Sequence, residues 1–301
     1  SNIMAGTLGF IGLGVMGEPI CRNLVCKSGR TVKAFDLASE PLQRIAADGG
    51  TIALSVADAV KGSDVIFLCL PSAKHVRNVV ESDGGLLASI GSGQTVVDLG
   101  TSAVDVTRDF AKRLVAKGAT WIDAPIARTR QAAQDGTLSV MVGATDAQFA
   151  QVEPLIRHFA TDVTLCGGTG AGQVTKILNN MVLFETVNAL AEAAAIARRS
   201  GVAPKLLLET LSKGSADSFA LRNHGMKAIV PGEFPLRAFS TEYALKDLSY
   251  ALDLASQVGV NPRGAALVGE IFHEAIDAGT GDNYFPVISK LIDAPDIPSK
   301  E

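Results

Sequence analysis

The chain has 301 residues, of which 47% are hydrophobic and 19% are charged, and its formal net charge is −4. This composition is too apolar for a disordered chain, and the length predicts about two domains. A general nucleic-acid-binding protein needs a basic surface, so we expect no nucleic-acid partner. No uncharged apolar run reaches the roughly 18 residues of a membrane helix, so we expect no membrane span.

The cysteines and histidines are too scattered to form a metal-ligand motif. The chain has four of each, and they do not fall into the paired spacings of metal sites. We therefore predict no metal site. The residues around Met4 lack the cationic start and the apolar core of a signal peptide, so we expect a cytoplasmic protein.

The first half of the chain alternates short apolar strands with helical segments. Strands are predicted at residues 7–12, 31–36, 65–70, 95–99, 120–123 and 138–142, and helices at 15–27, 40–48 and 104–117. Such alternation is typical of βαβ units, in which helices cover both faces of a parallel sheet. We predict a Rossmann-type doubly wound α/β domain over residues 4–168.

The pattern changes after a glycine-rich segment at residues 167–172. Residues 173–199 form one long run of helix formers without proline or glycine. Further helices are predicted at 204–212, 238–257 and 265–278, and no strand pattern is convincing. We therefore predict an all-α domain over residues 169–301, joined by a long helix, for substrate binding and oligomerisation.

A glycine-rich turn follows the first predicted strand and opens the first predicted helix. Gly12, Gly14 and Gly17 match the pattern GxGxxG. In a βαβ unit the first glycine permits a tight turn, the second lets the backbone approach a pyrophosphate, and the third lets helix and strand pack closely. We predict a dinucleotide site here, with Val15 and Met16 also at the cofactor.

Asp36 lies at the end of the second predicted strand, 19 residues after Gly17. A carboxylate at this position accepts hydrogen bonds from the adenosine ribose and repels a 2′-phosphate. We therefore predict NAD as the cofactor in preference to NADP. The alternative is that Asp36 only caps the following helix.

Four motifs occur in order along the chain. They are Gly12-Leu13-Gly14-x-Met16-Gly17, Asp123-Ala124-Pro125 with Gly136-Thr137-Leu138, Gly172-x-x-x-Lys176-x-x-Asn179-Asn180, and Lys246-Asp247-Leu248. Together they resemble the β-hydroxyacid dehydrogenase family, which includes 3-hydroxyisobutyrate dehydrogenases, tartronate semialdehyde reductases and sulfolactaldehyde reductases. The resemblance implies an NAD-dependent oxidoreductase and a homodimer or homotetramer. Its substrate would be a short β-hydroxy acid, or a hydroxymethyl compound with a second anionic group, interconverted with its semialdehyde.

The resemblance implies that Lys176 is the general acid and base. Oxidising an alcohol needs a base and reducing an aldehyde needs an acid, and a desolvated lysine can act as either. Asn180 lies four residues later, on the same helix face, and is expected to orient the lysine and the substrate. Asn179 is expected to contact the substrate. Taken alone, a helical lysine such as Lys176 would more often be an ordinary solvated residue.

Further cofactor contacts are implied by the resemblance. Leu70 and Pro71 match the strand end beside the adenosine, and Thr101 matches a position beside the nicotinamide ribose. Lys246 matches a lysine that reaches the cofactor near the nicotinamide. The alternative for Lys246 is a surface ion pair with Glu242 one helical turn earlier.

One segment departs from the family pattern. Relatives usually carry Ser-Gly-Gly after Asp-Ala-Pro and the next small residue, and this turn binds the substrate carboxylate; this chain has Ala127-Arg128-Thr129. A guanidinium offers a planar, two-pronged grip on an anion, so we expect Arg128 to bind one. The alternative is a surface arginine. Two other functions were considered for this fold, an imine reductase and a non-enzymatic cofactor-binding scaffold, and Lys176 argues against both.

Overall fold

The structure of the protein is a computed structural model that describes residues 6–294. The chain divides into two compact units between Lys176 and Ile177. The strands, all in the first unit, are β1 Thr7–Ile11, β2 Val32–Phe35, β3 Thr51–Ile52, β4 Ser63–Leu68, β5 Thr95–Asp98, β6 Thr120–Asp123, β7 Ile126–Ala127, β8 Leu138–Gly143 and β9 Ala160–Gly167. Its helices are α1 Gly17–Lys27, α2 Ser39–Ala47, α3 Val56–Val60, α4 Ala73–Glu81, α5 Leu86–Ser89, α6 Val104–Val115, α7 Arg130–Asp135 and α8 Asp146–Ile156.

The nine strands form one sheet whose first six members are parallel in the order β3-β2-β1-β4-β5-β6. This is the strand order of a Rossmann domain, and it confirms the predicted fold class. β8 lies antiparallel beside β6, with Asp123 paired with Gly143, and β7 and β9 both pair with β8. Apolar clusters lie on both faces of the sheet, as expected for strands covered on two sides.

Strand β9 was missed in the sequence for a physical reason. It pairs with β8 alone, and most of its residues, including Thr161 and Asp162, are exposed or only partly buried. An edge strand of this kind lacks the continuous apolar run that marks the central strands. The short strands β3 and β7 and the helices α3, α4, α5, α7 and α8 were also not predicted.

Helix α9, Ala171–Arg199, runs across the division between the units. The second unit continues with α10 Pro204–Leu211, a π-helix at Leu221–Ile229, α11 Thr241–Val258, α12 Arg263–Ala275, a π-helical segment at Ile276–Thr280, a 3₁₀ turn at Phe285–Val287 and α13 Ile288–Ile292. Its only β-type pairings among the described residues are two isolated bridges, so the all-α prediction is confirmed. No helix within residues 6–294 is long and apolar enough to cross a membrane.

The core of the second unit is built around Phe184 on α9. Its ring meets those of Phe239, Phe272 and Phe285 edge to face, with centroids 5.1–5.8 Å apart. Edge-to-face contacts of this kind add stability beyond the buried area itself. They anchor the part of α9 that lies just beyond Asn180.

Candidate active site

In the glycine-rich turn between β1 and α1, neighbouring backbone excludes a Cβ at two of the three glycines and leaves open space at the third. A Cβ on Gly12, whose φ is +103°, would lie 2.2 Å from the Cys69 carbonyl oxygen. A Cβ on Gly17 would lie 2.0 Å from the Gly12 carbonyl oxygen. A Cβ on Gly14 would meet nothing within 4 Å. The turn therefore fits a dinucleotide, because only Gly14 leaves space where a pyrophosphate can approach the backbone.

Val15 and Met16, the other predicted cofactor contacts of this turn, directly follow the open position at Gly14. Val15 is 63% exposed, and Met16 is half-buried at the start of α1. The N-cap of α1 is Met16, and no side chain in the described part of the chain caps this helix end. This arrangement suits phosphate binding, because free amides and the helix dipole both favour an anion.

Asp36 follows β2 and holds the glycine-rich turn in place. One carboxylate oxygen accepts a hydrogen bond from the Leu13 amide at 2.7 Å, and the other accepts one from the Ala38 amide at 2.8 Å. The residue capping α2 is Ala38, so Asp36 is not that helix's N-cap, the alternative considered above. Each carboxylate oxygen has a second lone pair and can still accept a ribose hydroxyl.

Leu70, Pro71 and Thr101 lie at the carboxyl ends of β4 and β5. A Cβ on Gly12 would lie 3.0 Å from the Leu70 Cδ2, and a Cβ on Gly100 would lie 3.4 Å from the Leu70 carbonyl oxygen. These contacts bring the glycine-rich turn, the end of β4 and the loop that contains Thr101 together. Ligands of open parallel sheets bind at this edge.

Two buried aspartates end the neighbouring strands β5 and β6. Asp98 accepts a hydrogen bond from the Gly100 amide at 3.0 Å, yet its burial raises the pKa of the carboxyl to about 7. Asp123 accepts hydrogen bonds from the amides of Gly170 at 2.8 Å and Gln173 at 3.0 Å. Burial also raises the pKa of Asp123. Asp123 therefore satisfies two of the amides that open α9.

Asn179 and Asn180, two of the predicted site residues of α9, lie in the second unit. Asn180 is 3% exposed, and its Nδ2 donates a hydrogen bond to the Asp247 Oδ2 at 3.1 Å. The Nδ2 of exposed Asn179 donates to the Asn180 Oδ1 at 3.2 Å. The Asn180 amide thus has a fixed orientation. Lys176 lies one helical turn earlier on α9.

Lys246 lies on α11 next to Asp247, and its ammonium group contacts an aromatic ring. Its Nζ lies 3.9 Å from the centroid of the Tyr243 ring, a cation–π contact. Within the described residues it forms no ion pair with Glu242. Burial lowers the pKa of Lys246, as expected for an ammonium group withdrawn from water.

The Ala127–Thr129 segment joins β7 to α7. Arg128 has a φ of +90°, a backbone conformation that favours glycine. Its Nη1 donates to the Thr137 carbonyl oxygen at 2.9 Å and to the Thr161 Oγ1 at 3.0 Å, and its Nη2 donates to Asp162. The guanidinium is therefore held by residues at the starts of β8 and β9, and not by the other predicted site residues.

Thr129 caps α7 through its side-chain oxygen, which accepts from the Ala132 amide. Ala127 pairs with Ser139 of β8.

Sequence reasoning did not single out Gln173, Asp123 and Asp247, whose side chains hydrogen-bond to groups beside or on α9. Asp123 and Asp247 stand in two of the four motifs that resemble the family, but the sequence does not reveal that both are buried and bonded to groups of α9. One feature of the sequence could have indicated Gln173, because it is a polar residue in the first turn of the long helix, three residues before Lys176.

Two family profiles match the chain. Residues 7–168 match the NAD binding domain of 6-phosphogluconate dehydrogenase, and residues 170–292 match the NAD-binding domain of NADP-dependent 3-hydroxyisobutyrate dehydrogenase. Among similar proteins, 2-(hydroxymethyl)glutarate dehydrogenase of Eubacterium barkeri is 33% identical over 94% of both chains. The 3-hydroxyisobutyrate dehydrogenase of Pseudomonas aeruginosa is 33% identical over 94% of this chain and 97% of its own.

A solved structure of similar shape is the Mycobacterium tuberculosis 3-hydroxyisobutyrate dehydrogenase, described together with L-serine. It has a TM-score of 0.87 and 28% identity, and the match covers 97% of this chain and 100% of that one.

Proposed function

The chain belongs to the β-hydroxyacid dehydrogenase family, and from this premise we propose that it is an NAD-dependent dehydrogenase or semialdehyde reductase. Its substrate would be a short β-hydroxy acid or a hydroxymethyl compound with a second anionic group. The observation that carries the proposal is the position of Lys176 on α9, one turn before an asparagine whose amide is held by Asp247. Bound NAD supplies the hydride chemistry, since a hydride passes between it and the substrate carbon.

Lys176 is proposed as the group that moves the hydroxyl proton. In oxidation its amine accepts the proton as the hydride leaves the carbon, and in reduction its ammonium returns that proton. Asn180 is proposed to orient the lysine and the substrate. Its buried amide suits this role because Asp247 and Asn179 have already fixed its direction.

The proposed cofactor contacts are Gly12, Gly14, Val15, Met16, Gly17, Asp36, Leu70, Pro71, Thr101 and Lys246. Preference for NAD over NADP would come from Asp36, because its carboxylate stands beside the glycine-rich turn and would repel a 2′-phosphate. The half-buried ammonium of Lys246 is suited to an anionic or polar part of the cofactor.

The proposed substrate contacts are Ala127, Arg128, Thr129 and Asn179. Arg128 brings a cation into a loop where relatives usually carry glycine. Because the guanidinium already donates to Asp162, it could bind a substrate anion in two ways. It could use N–H groups that Asp162 leaves available, or the substrate's anionic group could replace the Asp162 carboxylate.

Two further proposals concern organisation. The domain boundary would lie between residues 168 and 169, where the glycine-rich segment precedes α9, whereas the compact units divide one to two helical turns into α9, after Lys176. The helical unit would form the contacts of a homodimer or homotetramer, supported by exposed apolar side chains such as Ile196 and Leu206.

The proposal is tested with a substrate panel followed at the absorbance of reduced nicotinamide, with NAD and NADP in parallel. The panel contains 3-hydroxyisobutyrate, 2-(hydroxymethyl)glutarate, L-serine, a hydroxymethyl sulfonate and the semialdehydes of the hydroxy acids. We expect turnover of at least one compound, with NAD preferred. Absence of turnover with every compound would reject the dehydrogenase, and a preference for NADP would reject the role of Asp36.

The Arg128→Ala variant is assayed against the same panel. We expect KM to rise most for substrates with a second anionic group. An equal loss for every substrate would assign Arg128 a structural role.

A further inference from the structure

Gln173 connects the first turn of α9 to the loop that contains Thr101. The side chain is fully buried. Its Nε2 donates a hydrogen bond to the Gly100 carbonyl oxygen at 2.8 Å, and its Oε1 accepts one from the Ser102 amide at 3.0 Å. A single amide thus holds the residues on both sides of Thr101.

The helix turn that carries Gln173 is itself tightly placed. Asp123 accepts hydrogen bonds from the Gly170 and Gln173 amides. A Cβ on Gly172 would lie 2.4 Å from the Met141 carbonyl oxygen, so this turn packs directly on the backbone of β8. The start of α9 therefore has little freedom to shift.

We propose that Gln173 is a positioning residue that sets the distance between the Thr101 loop and the helix turn of Lys176. This rests on the proposed function, in which Thr101 lies beside the nicotinamide ribose and Lys176 moves the proton. Lys176 is three residues after Gln173 on the same helix, so one rigid turn joins them. Small errors of position between reacting groups reduce the rate strongly.

Gln94 provides a matched control at the other end of β5. Its Nε2 donates to the carbonyl oxygens of Val60 and Ser63 at 2.7 and 2.8 Å, and its Oε1 accepts from the Gly91 amide at 2.8 Å. It is also a glutamine that bridges backbone groups of the first unit. It precedes β5, whereas the Thr101 loop follows that strand.

The experiment compares Gln173→Ala with Gln94→Ala, using the panel acid that is turned over, and monitors the unfolding midpoint in parallel. We expect both variants to lose similar stability. Gln173→Ala should lower kcat at least tenfold with less than a threefold change in KM, and Gln94→Ala should keep kcat within twofold. Equal kcat in the two variants would overturn the proposal.

The Gln173→Glu variant tests the positioning role through the pH dependence of kcat, which a purely structural role would leave unchanged. A protonated carboxyl can accept from the Ser102 amide and donate to the Gly100 carbonyl oxygen, as the glutamine does. A carboxylate cannot donate and is repelled by that oxygen. We expect kcat of this variant to approach the wild-type value at low pH and to fall as the introduced carboxyl ionises. Gln94→Glu should show no such added pH dependence, and a profile parallel to that of the wild type for Gln173→Glu would overturn the proposal.

Lys176→Ala separates the two possible failures. If Lys176→Ala keeps its activity, the acid–base assignment fails and this inference fails with it. If Lys176→Ala is inactive while Gln173→Ala behaves as Gln94→Ala does, only the positioning role is rejected.

Discussion

The loops that follow β1 and β7 each contain a residue with a positive φ, which is a glycine in the first loop and an arginine in the second. The φ is +103° at Gly12 and +90° at Arg128. At Gly12 a Cβ would lie 2.2 Å from the Cys69 carbonyl oxygen, so no side chain fits. At Arg128 the side chain leaves the loop and reaches Asp162. In these two loops, therefore, a positive φ requires glycine only where neighbouring backbone also excludes the Cβ.

The largest expected effect is that of Gly12→Ala. The substitution adds a backbone clash to an unfavourable φ, and such strain costs several kcal/mol. We expect the free energy of unfolding in denaturant to fall by about 3 kcal/mol or more, with loss of NAD binding. Gly29→Ala is the control, because Gly29 has a φ of +69° and no neighbour within 4 Å. It should cost about 1 kcal/mol, and equal losses in the two variants would contradict the close contact with Cys69.

Gly14→Ala should separate cofactor binding from folding. A Cβ at this position meets nothing within 4 Å, so we expect the unfolding free energy to change by less than about 0.5 kcal/mol. The same methyl group would occupy the space proposed for the pyrophosphate. Calorimetric titration with NAD should show an affinity at least tenfold weaker, a loss of about 1.4 kcal/mol. Unchanged affinity would place the phosphates elsewhere.

Arg128→Gly and Arg128→Ala test the second loop. Both variants lose the guanidinium, and only glycine relieves the positive φ. We expect Arg128→Gly to be more stable than Arg128→Ala by about 1 kcal/mol in denaturant unfolding. Equal stabilities would show that this backbone conformation is not strained.

The smallest effect on stability is expected for Asp162→Asn. The side chains of Arg128 and Asp162 are 44% and 60% exposed, and exposed ion pairs contribute about 1 kcal/mol or less. If the guanidinium then becomes available to substrate, KM for anionic panel compounds should fall, while KM in Arg128→Ala should rise. A rise in both variants would mean that Asp162 helps to form the substrate site.

The contrast between the loops also shows what could be predicted from the sequence. The cofactor roles proposed for Gly12, Gly14 and Gly17 were predicted from their spacing together with the strand before them and the helix after them, because a tight turn between strand and helix has few solutions. The alternation of strands and helices likewise predicted the parallel sheet. Edge strand β9 was missed because an exposed strand has no apolar signature.

The long-range partners of polar side chains could not be predicted in the same way. Arg128 was expected to face an anionic ligand, and the structure pairs it with Asp162, 34 residues away in sequence. Gln173 reaches Gly100 across 73 positions. Contacts of this kind depend on how strands align in the sheet, and no local pattern encodes them.

The acid–base role proposed for Lys176, which is to move the substrate hydroxyl proton in an NAD-dependent hydride transfer, decides whether the proposed function is correct. It is tested most directly by measuring kcat and NAD affinity of Lys176→Ala, with Lys112→Ala, an exposed lysine on α6, as the control. We expect Lys176→Ala to lose at least about a hundredfold in kcat. Its NAD affinity should stay within twofold of the wild-type value, and Lys112→Ala should behave as wild type. Near-normal kcat in Lys176→Ala would show that Lys176 does not move the proton.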